Sequence, residues 1–239
     1  MAKRVLFLVI NEAEKDPRVF RHARELVARG FDVLCLGWTK AAKSSSLEVE
    51  GVKIRNLCSG DISVDPRKFF SRYKGSNEVA GVLAEPVLEE LAPDFWQRVR
   101  AVARKHAPFL RGPWEVLKKL KNGSGGAIDP ETAAAAERES KNDILYMMGI
   151  NEGMIVASRD INDIDVIVGN DANTLLASAV IKARTGAGLC YDAHEIFHRQ
   201  YAEGVRSPFW EDFYRNLESA LLKITDCRFT VNRSIADWM

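Results

Sequence analysis

The stretch Asp165–Phe197, DVIVGNDANTLLASAVIKARTGAGLCYDAHEIF, decides the fold. A short apolar run, Val166 to Val168, stops at Gly169-Asn170-Asp171. A second, Leu189 to Tyr191, stops at Asp192-Ala193-His194-Glu195. Between them Ala172 to Arg184 reads as a helix, and Gly186 and Gly188 turn the chain into the next strand. In an open parallel sheet, ligands bind just beyond the carboxyl ends of the strands. Two polar clusters at two such ends bring Asp171, His194 and further carboxylates to one crevice.

Upstream, Arg4 to Ile10 is a continuous apolar run, the pattern of a strand buried on both faces. Asp16-Pro17 is a helix start, since Asp caps and Pro is tolerated at the first helical position. Val19, Phe20, Ala23, Leu26 and Val27 then recur at helical spacing, and Gly30 closes the helix. Phe31 to Trp38 is a second strand, making a β-α-β unit of right-handed connection. Val52 to Leu57 is a third strand after a turn at Glu50-Gly51.

Downstream, Pro208 opens an amphipathic helix with Trp210, Phe213, Leu217, Leu221 and Ile224 on one face, and Cys227 to Val231 is a last strand. This alternation predicts an α/β fold with a doubly wound, mostly parallel, Rossmann-like sheet.

Residues 61–162 differ in character. Strand-like runs vanish, prolines punctuate helical stretches, and Lys121 to Gly126 has linker composition. Thr132 to Arg159 reads as a long helix with Ile144, Leu145, Met148, Ile155 and Val156 on its apolar side. The whole region is expected to be a helical insertion between strands 3 and 4. Within it, residues 97–122 are strongly basic and carry apolar area between the charges. That composition suits an anionic membrane surface, against the plainer reading of a helix pair packed on the sheet.

Composition excludes several classes. A hydrophobic share of 46%, a charged share of 28% and a net charge of +1 describe a globular chain without a nucleic-acid signature. The four cysteines, Cys35, Cys58, Cys190 and Cys227, have no C-x-x-C spacing, which argues against zinc and for free, buried thiols in a reducing cytoplasm. The apolar run at Val5 to Ile10 is too short for a signal peptide, and none approaches the roughly 20 residues that span a bilayer.

The first turn, Asn11 to Arg18, lacks the G-x-G-x-x-G of dinucleotide sites. It is either a solvated loop capped by Asp16, or a helix N-terminus that presents Arg18 to an anionic or hydroxyl-rich ligand. Asp171 caps the following helix, binds ligand, or does both; Asn170 and Asn173 beside it suit sugar hydroxyls. His194, flanked by Asp192, Glu195 and His198, is an imidazole able to hold a proton or bond a substrate hydroxyl near neutral pH. His194 and His198 have i,i+4 spacing, but without H-E-x-x-H order a metal is not expected.

Taken together, these residues resemble the N-terminal domain of family-4 retaining glycosyltransferases of the GT-B fold. The resemblance rests on Asp16-Pro17-Arg18, Arg24-Glu25-Leu26 with Gly30, Asn170-Asp171 with Thr174-Leu175-Leu176, Tyr191-Asp192-Ala193-His194-Glu195, and Phe229-Thr230-Val231-Asn232 with Ser234-Ile235-Ala236. It covers residues 3–57 and 163–239 and leaves out the middle. It implies that residues 1–239 are one Rossmann-like, acceptor-side domain, and that the C-terminal donor-binding domain is absent from this chain. The last residues, Asn232 to Met239, read as a helix stopped after its first turn, with nothing to bury.

The implied activity is transfer of a glycosyl group from a nucleotide-diphosphate sugar to a sugar or lipid-linked acceptor hydroxyl with retention. It needs no cofactor beyond the nucleotide-sugar donor as substrate, and no metal. His194 and Glu195 take the catalytic positions; Asn11, Asp16, Arg18, Asn170, Asp171, Asn173 and Asp192 line the substrate side. The expected location is cytoplasmic, peripheral to the inner membrane face. The fragment alone is expected to be inactive. Two alternatives stay open: another nucleotide-sugar enzyme such as an epimerase on a related fold, and a non-catalytic membrane-associated domain.

Overall fold

A computed structural model describes residues 2–58, 130–201 and 206–238. Seven strands form one sheet: β1 (Arg4–Leu8), β2 (Asp32–Thr39), β3 (Ser45–Val49), β4 (Val52–Cys58), β5 (Val166–Asn170), β6 (Gly188–Ala193) and β7 (Cys227–Thr230). Their spatial order is β3-β4-β2-β1-β5-β6-β7. Every pairing is parallel except the β3–β4 hairpin. Without β3, the parallel strands run third-second-first-fourth-fifth-sixth, the Rossmann-like order. The chain reverses its direction of travel between β1 and β5, and that junction is where such sheets open a crevice.

The strands form where buried runs predict them. Leu6 and Leu8 face one side of the sheet while Val5 and Phe7 face the other, and all four are buried. Helix α1 (Pro17–Ala28) covers the second side over β1, β2 and β4 with Val19 and Ala23. Helices α2 (Pro130–Ala157), α3 (Leu175–Thr185) and α4 (Pro208–Leu221) cover the first side. Trp210, Phe213, Tyr214 and Leu217 of α4 pack against Tyr191 and Ala193 of β6. Among the described residues no helix is long and apolar enough to cross a membrane.

Several expectations change. Strand β3 was not foreseen; its pattern is largely exposed, as an edge strand permits, and only the Glu50-Gly51 turn announces it. Both turn residues take positive φ, 50° and 79°, the geometry of a two-residue hairpin. Helix α3 starts one turn later than read, because Ala172–Thr174 is a 3-10 turn. Val156 is exposed rather than on the apolar side of α2. Cys190 and Cys227 are half-buried, since β7 is an edge strand, and none of the four cysteines is joined in a disulfide among the described residues. The terminal helix α5 (Arg233–Trp238) does bury something: Ile235 joins the α4 cluster, and Asn232 Oδ1 accepts its N–H at 3.0 Å. Of the expected insertion, α2 is described; the basic stretch 97–122 and the 121–126 linker lie outside the described residues.

Candidate functional site

The site is built by three chain segments that leave the sheet at its carboxyl rim. The first follows β1. Asn11 hands its backbone carbonyl to Trp38 N–H at 2.9 Å, so the loop crosses over β2. The crossing is why residue 37 is glycine. A Cβ there would lie 2.7 Å from the Asn11 carbonyl oxygen and 2.2 Å from Asn56 Oδ1. Asn56, buried in β4, accepts from Ala13 N–H at 3.3 Å and donates to Glu14. The 3-10 turn Ala13–Lys15 is thereby fastened to the sheet without any glycine of its own.

Asp16 ends this loop and caps α1, accepting from the N–H groups of Arg18 at 3.0 Å and Val19 at 3.3 Å. Its other oxygen accepts from Asn11 Nδ2 at 3.1 Å and the Arg18 guanidinium at 3.2 Å. Burial works against its charge, but these donors win and hold its carboxyl down at about 2. Asn11 and Asp16 are thus committed to each other. Arg18 keeps a half-exposed head, whose charge is reinforced by Asp16 first and then by Asp171 and Asp192.

The second segment follows β5. Asn170, 2% exposed, sends Nδ2 to the Leu8 carbonyl at 2.9 Å, bridging β5 to β1 at the switch point. Its Oδ1 is buried without a hydrogen-bond partner among the described residues. Asp171 follows at φ 58°, ψ 165°, a region that residues other than glycine rarely enter. It does not cap the helix after it; its Oδ1 accepts from His194 N–H at 3.0 Å instead. Asn173 is drawn toward α2, where its carbonyl accepts from Asn151 Nδ2 at 2.7 Å. Its buried Oδ1 also lacks a partner among the described residues.

The third segment follows β6. Asp192 and Asp171 flank one imidazole: His194 Nδ1 lies 3.4 Å from Asp171 Oδ2, and Nε2 lies 3.3 Å from Asp192 Oδ2. The ring is 5% exposed. Hydrogen bonding to Asp171 and then Asp192 raises its pKa from 6.5 to about 9, so it is an imidazolium at neutral pH. Glu195 is half-buried beside it, and burial followed by the Asp171 charge pushes its pKa up.

Arg18, Asp171, Asp192, His194 and Glu195 gather at one rim; Asn11, Asp16 and Asn170 frame it, and Asn173 sits on its α2 side. His198 does not join His194. It turns beneath the sheet, with Nδ1 3.8 Å from the buried Glu218, which takes a 2.5 Å hydrogen bond from Tyr191. Among the described residues no cluster of His, Cys, Asp and Glu is arranged to hold a metal ion. The reading from sequence passed over His22, whose Nδ1 lies 3.6 Å from Asp192 Oδ2. The available signal was its place one helical turn after Arg18. No family model matches the chain, and no curated protein matches it.

Proposed function

We propose that this chain is the acceptor-side half of a retaining glycosyltransferase, acting on a nucleotide-diphosphate sugar and a sugar or lipid-linked acceptor hydroxyl. One observation carries the reading: a carboxylate–imidazolium–carboxylate cluster lies at the switch-point rim beside Asn170 Oδ1, a buried amide oxygen with no hydrogen-bond partner among the described residues. A buried acceptor left unpaired costs about 1–3 kcal/mol, and a ligand hydroxyl that reached Asn170 Oδ1 would supply the donor it lacks. In transfer, the acceptor oxygen forms a bond to the anomeric carbon as the bond from that carbon to the diphosphate breaks, and the hydroxyl proton passes to the departing diphosphate oxygen. Half-exposed Arg18 offers charge to an anionic group.

His194 takes a different part from the one expected. Both ring nitrogens are engaged by carboxylates, so it is a positioning residue that locks the β5 and β6 loops together. His194→Ala in the full-length protein is expected to lower turnover by freeing both loops.

The deciding experiment incubates the full-length protein with labelled nucleotide-diphosphate sugars and a panel of glycoside and lipid-linked acceptors. Label in the acceptor, with unchanged anomeric configuration, supports the proposal. Label found only in an epimerised nucleotide sugar, or no turnover with any pair, counts against it.

A further inference from the structure

Cys190 of β6 and Cys227 of β7 are direct partners in the last parallel pairing of the sheet. Side chains alternate along β6. Leu189 and Tyr191 point into the clusters under α2, α3 and α4, and Cys190 points to the other side, where it packs at the margin of the α1 cluster. In parallel register Cys227 stands on that same side, and the two thiols interact directly, side chain to side chain. Neither is sealed. Both are half-buried, and Phe229, two residues further along β7 on the same face, is 51% exposed. Cys35 and Cys58, by contrast, are buried in β2 and β4. Neighbouring strands hold paired Cα atoms roughly 4.8 Å apart, inside the roughly 4.4–6.8 Å that a disulfide spans. Side chains standing abreast keep their Cβ atoms at about that spacing too, slightly beyond the roughly 3.5–4.5 Å of a relaxed bridge. Closing the bridge therefore draws β7 toward β6, which an edge strand paired on one side only among the described residues permits.

We propose that Cys190 and Cys227 form a modification site, a dithiol that a low-molecular-weight disulfide such as oxidised glutathione converts reversibly into a bridge between β6 and β7. The pair stands apart from the transfer reading and does not depend on it. The surroundings set the order of attack. Burial first, and then the neighbouring Cys227 thiol, push the Cys190 pKa up to about 11, so Cys190 keeps its proton at neutral pH. The nearby charges oppose each other: Asp226 raises that pKa, and Lys182, ion-paired with Asp226, lowers it. The thiolate is the nucleophile, so Cys227 on the edge strand attacks first. Having given its proton to water, it bonds to one sulfur of the small disulfide and expels the other as a thiolate. The Cys190 sulfur then attacks the Cys227 sulfur, losing its proton as it does so, and the second small thiolate leaves. Two protein thiols give up two electrons and two protons; the small disulfide takes up both and becomes two thiols. Strained or exposed bridges are the readily reduced ones, so excess small thiol runs the same exchange backwards.

The test treats the reduced, folded full chain with oxidised glutathione, stops exchange with acid, removes the glutathione, alkylates the remaining thiols under denaturing conditions and maps the peptides by mass spectrometry. Expected is a linked peptide pair joining Cys190 to Cys227, lighter by two hydrogens, with Cys35 and Cys58 alkylated. Excess reduced glutathione should then restore alkylation at all four cysteines. In Cys190→Ser, Cys227 should hold a single glutathione; in Cys227→Ser, Cys190 should acquire one more slowly than Cys227 does. Four alkylated cysteines after the oxidising treatment overturn the proposal. So does a bridge to Cys35 or Cys58, or glutathione held on Cys190 or Cys227 of the wild type without a bridge. A bridge that excess reduced glutathione leaves closed overturns the reversible exchange, and equal adduct rates in the two variants overturn the order of attack. Should either serine variant fail to fold, the wild-type map decides the pairing alone.

Discussion

At the scale of single residues, the site stores two measurable quantities. The first is charge. The folded His194 pKa of about 9 lies above its ordinary 6.5. Its contribution to stability is therefore full below about 6.5 and fades as pH rises through 9, amounting to on the order of 2–3 kcal/mol. Urea unfolding at pH 6.5 and 9 should show that loss, and His194→Gln should abolish the difference; an equal slope in both proteins would mean the carboxylate clamp does not hold the proton. The second quantity is strain. Asp171 sits at φ 58°, ψ 165° because its carboxylate must reach back to the His194 N–H. Residues in such regions carry roughly 1–3 kcal/mol of backbone cost. Asp171→Gly and Asp171→Ala both remove the carboxylate, but only glycine removes the strain. Chemical denaturation should find the glycine variant more stable by about 1 kcal/mol or more; equal midpoints would place the strain elsewhere.

At the scale of elements, the turn between β1 and α1 and the start of α3 are each set by a close approach. Asp16 caps α1 with one oxygen and gathers Asn11 and Arg18 with the other. Asp16→Asn keeps much of the cap, whereas Asp16→Ala should cost about 1–2 kcal/mol. The fast hydrogen exchange that follows should be confined to the first turn of α1. In β5, Gly169 lets α3 settle onto the sheet: a Cβ there would lie 2.5 Å from Ser178 Oγ, which is buried and bonded to the Thr174 carbonyl. Gly169→Ala should destabilise by about 1–3 kcal/mol, and Ser178→Ala in the same chain should recover part of it. If calorimetry shows no recovery, the helix is not docked on that hydroxyl. The elements built on buried runs were legible in sequence, because Val5 to Leu8 and Val166 to Val168 must hide from water on both faces. The Asp16-Pro17 start was legible because capping is local chemistry. Strand β3 was not, since an exposed edge needs no apolar pattern. The role of Gly37 was hidden too: its neighbour is a loop more than 20 positions away, and spacing along the chain carries no trace of it. Asp171, His194 and Glu195 could be placed at one rim from the strand ends alone, but the partners of each side chain could not. His22 belongs to a helix whose pattern shows only which face is apolar.

For the whole molecule, the sheet order places the switch point between β1 and β5, and the polar groups collect there because strand ends are where backbone leaves its pairing. The opposite consequence is a second set of ionisable groups trapped beneath the sheet. Glu218 of α4 and His198 are both buried there. Burial raises the Glu218 pKa from 4.5 to about 7. Burial, followed by the Arg215 and Arg199 charges, lowers that of His198 from 6.5 to about 4. Their effects on stability oppose each other. The raised carboxyl contributes fully below about 4.5 and loses its contribution as pH climbs through 7. The lowered imidazole contributes fully above about 6.5 and loses its contribution as pH falls through 4. Between pH 4.5 and 6.5 the two slopes nearly cancel, so unfolding free energy should stay level to within about 1 kcal/mol. Glu218→Gln keeps an acceptor for the Tyr191 hydroxyl and removes one slope. Stability should then rise with pH across that window by on the order of 2 kcal/mol, the sign set by a histidine that charges only when unfolded. Urea titrations of wild type and Glu218→Gln at pH 4.5, 5.5 and 6.5 decide it. A level profile in the variant would mean that His198 titrates alike in the folded and unfolded chain, and that the cluster beneath the sheet is open to protons rather than sealed by α4.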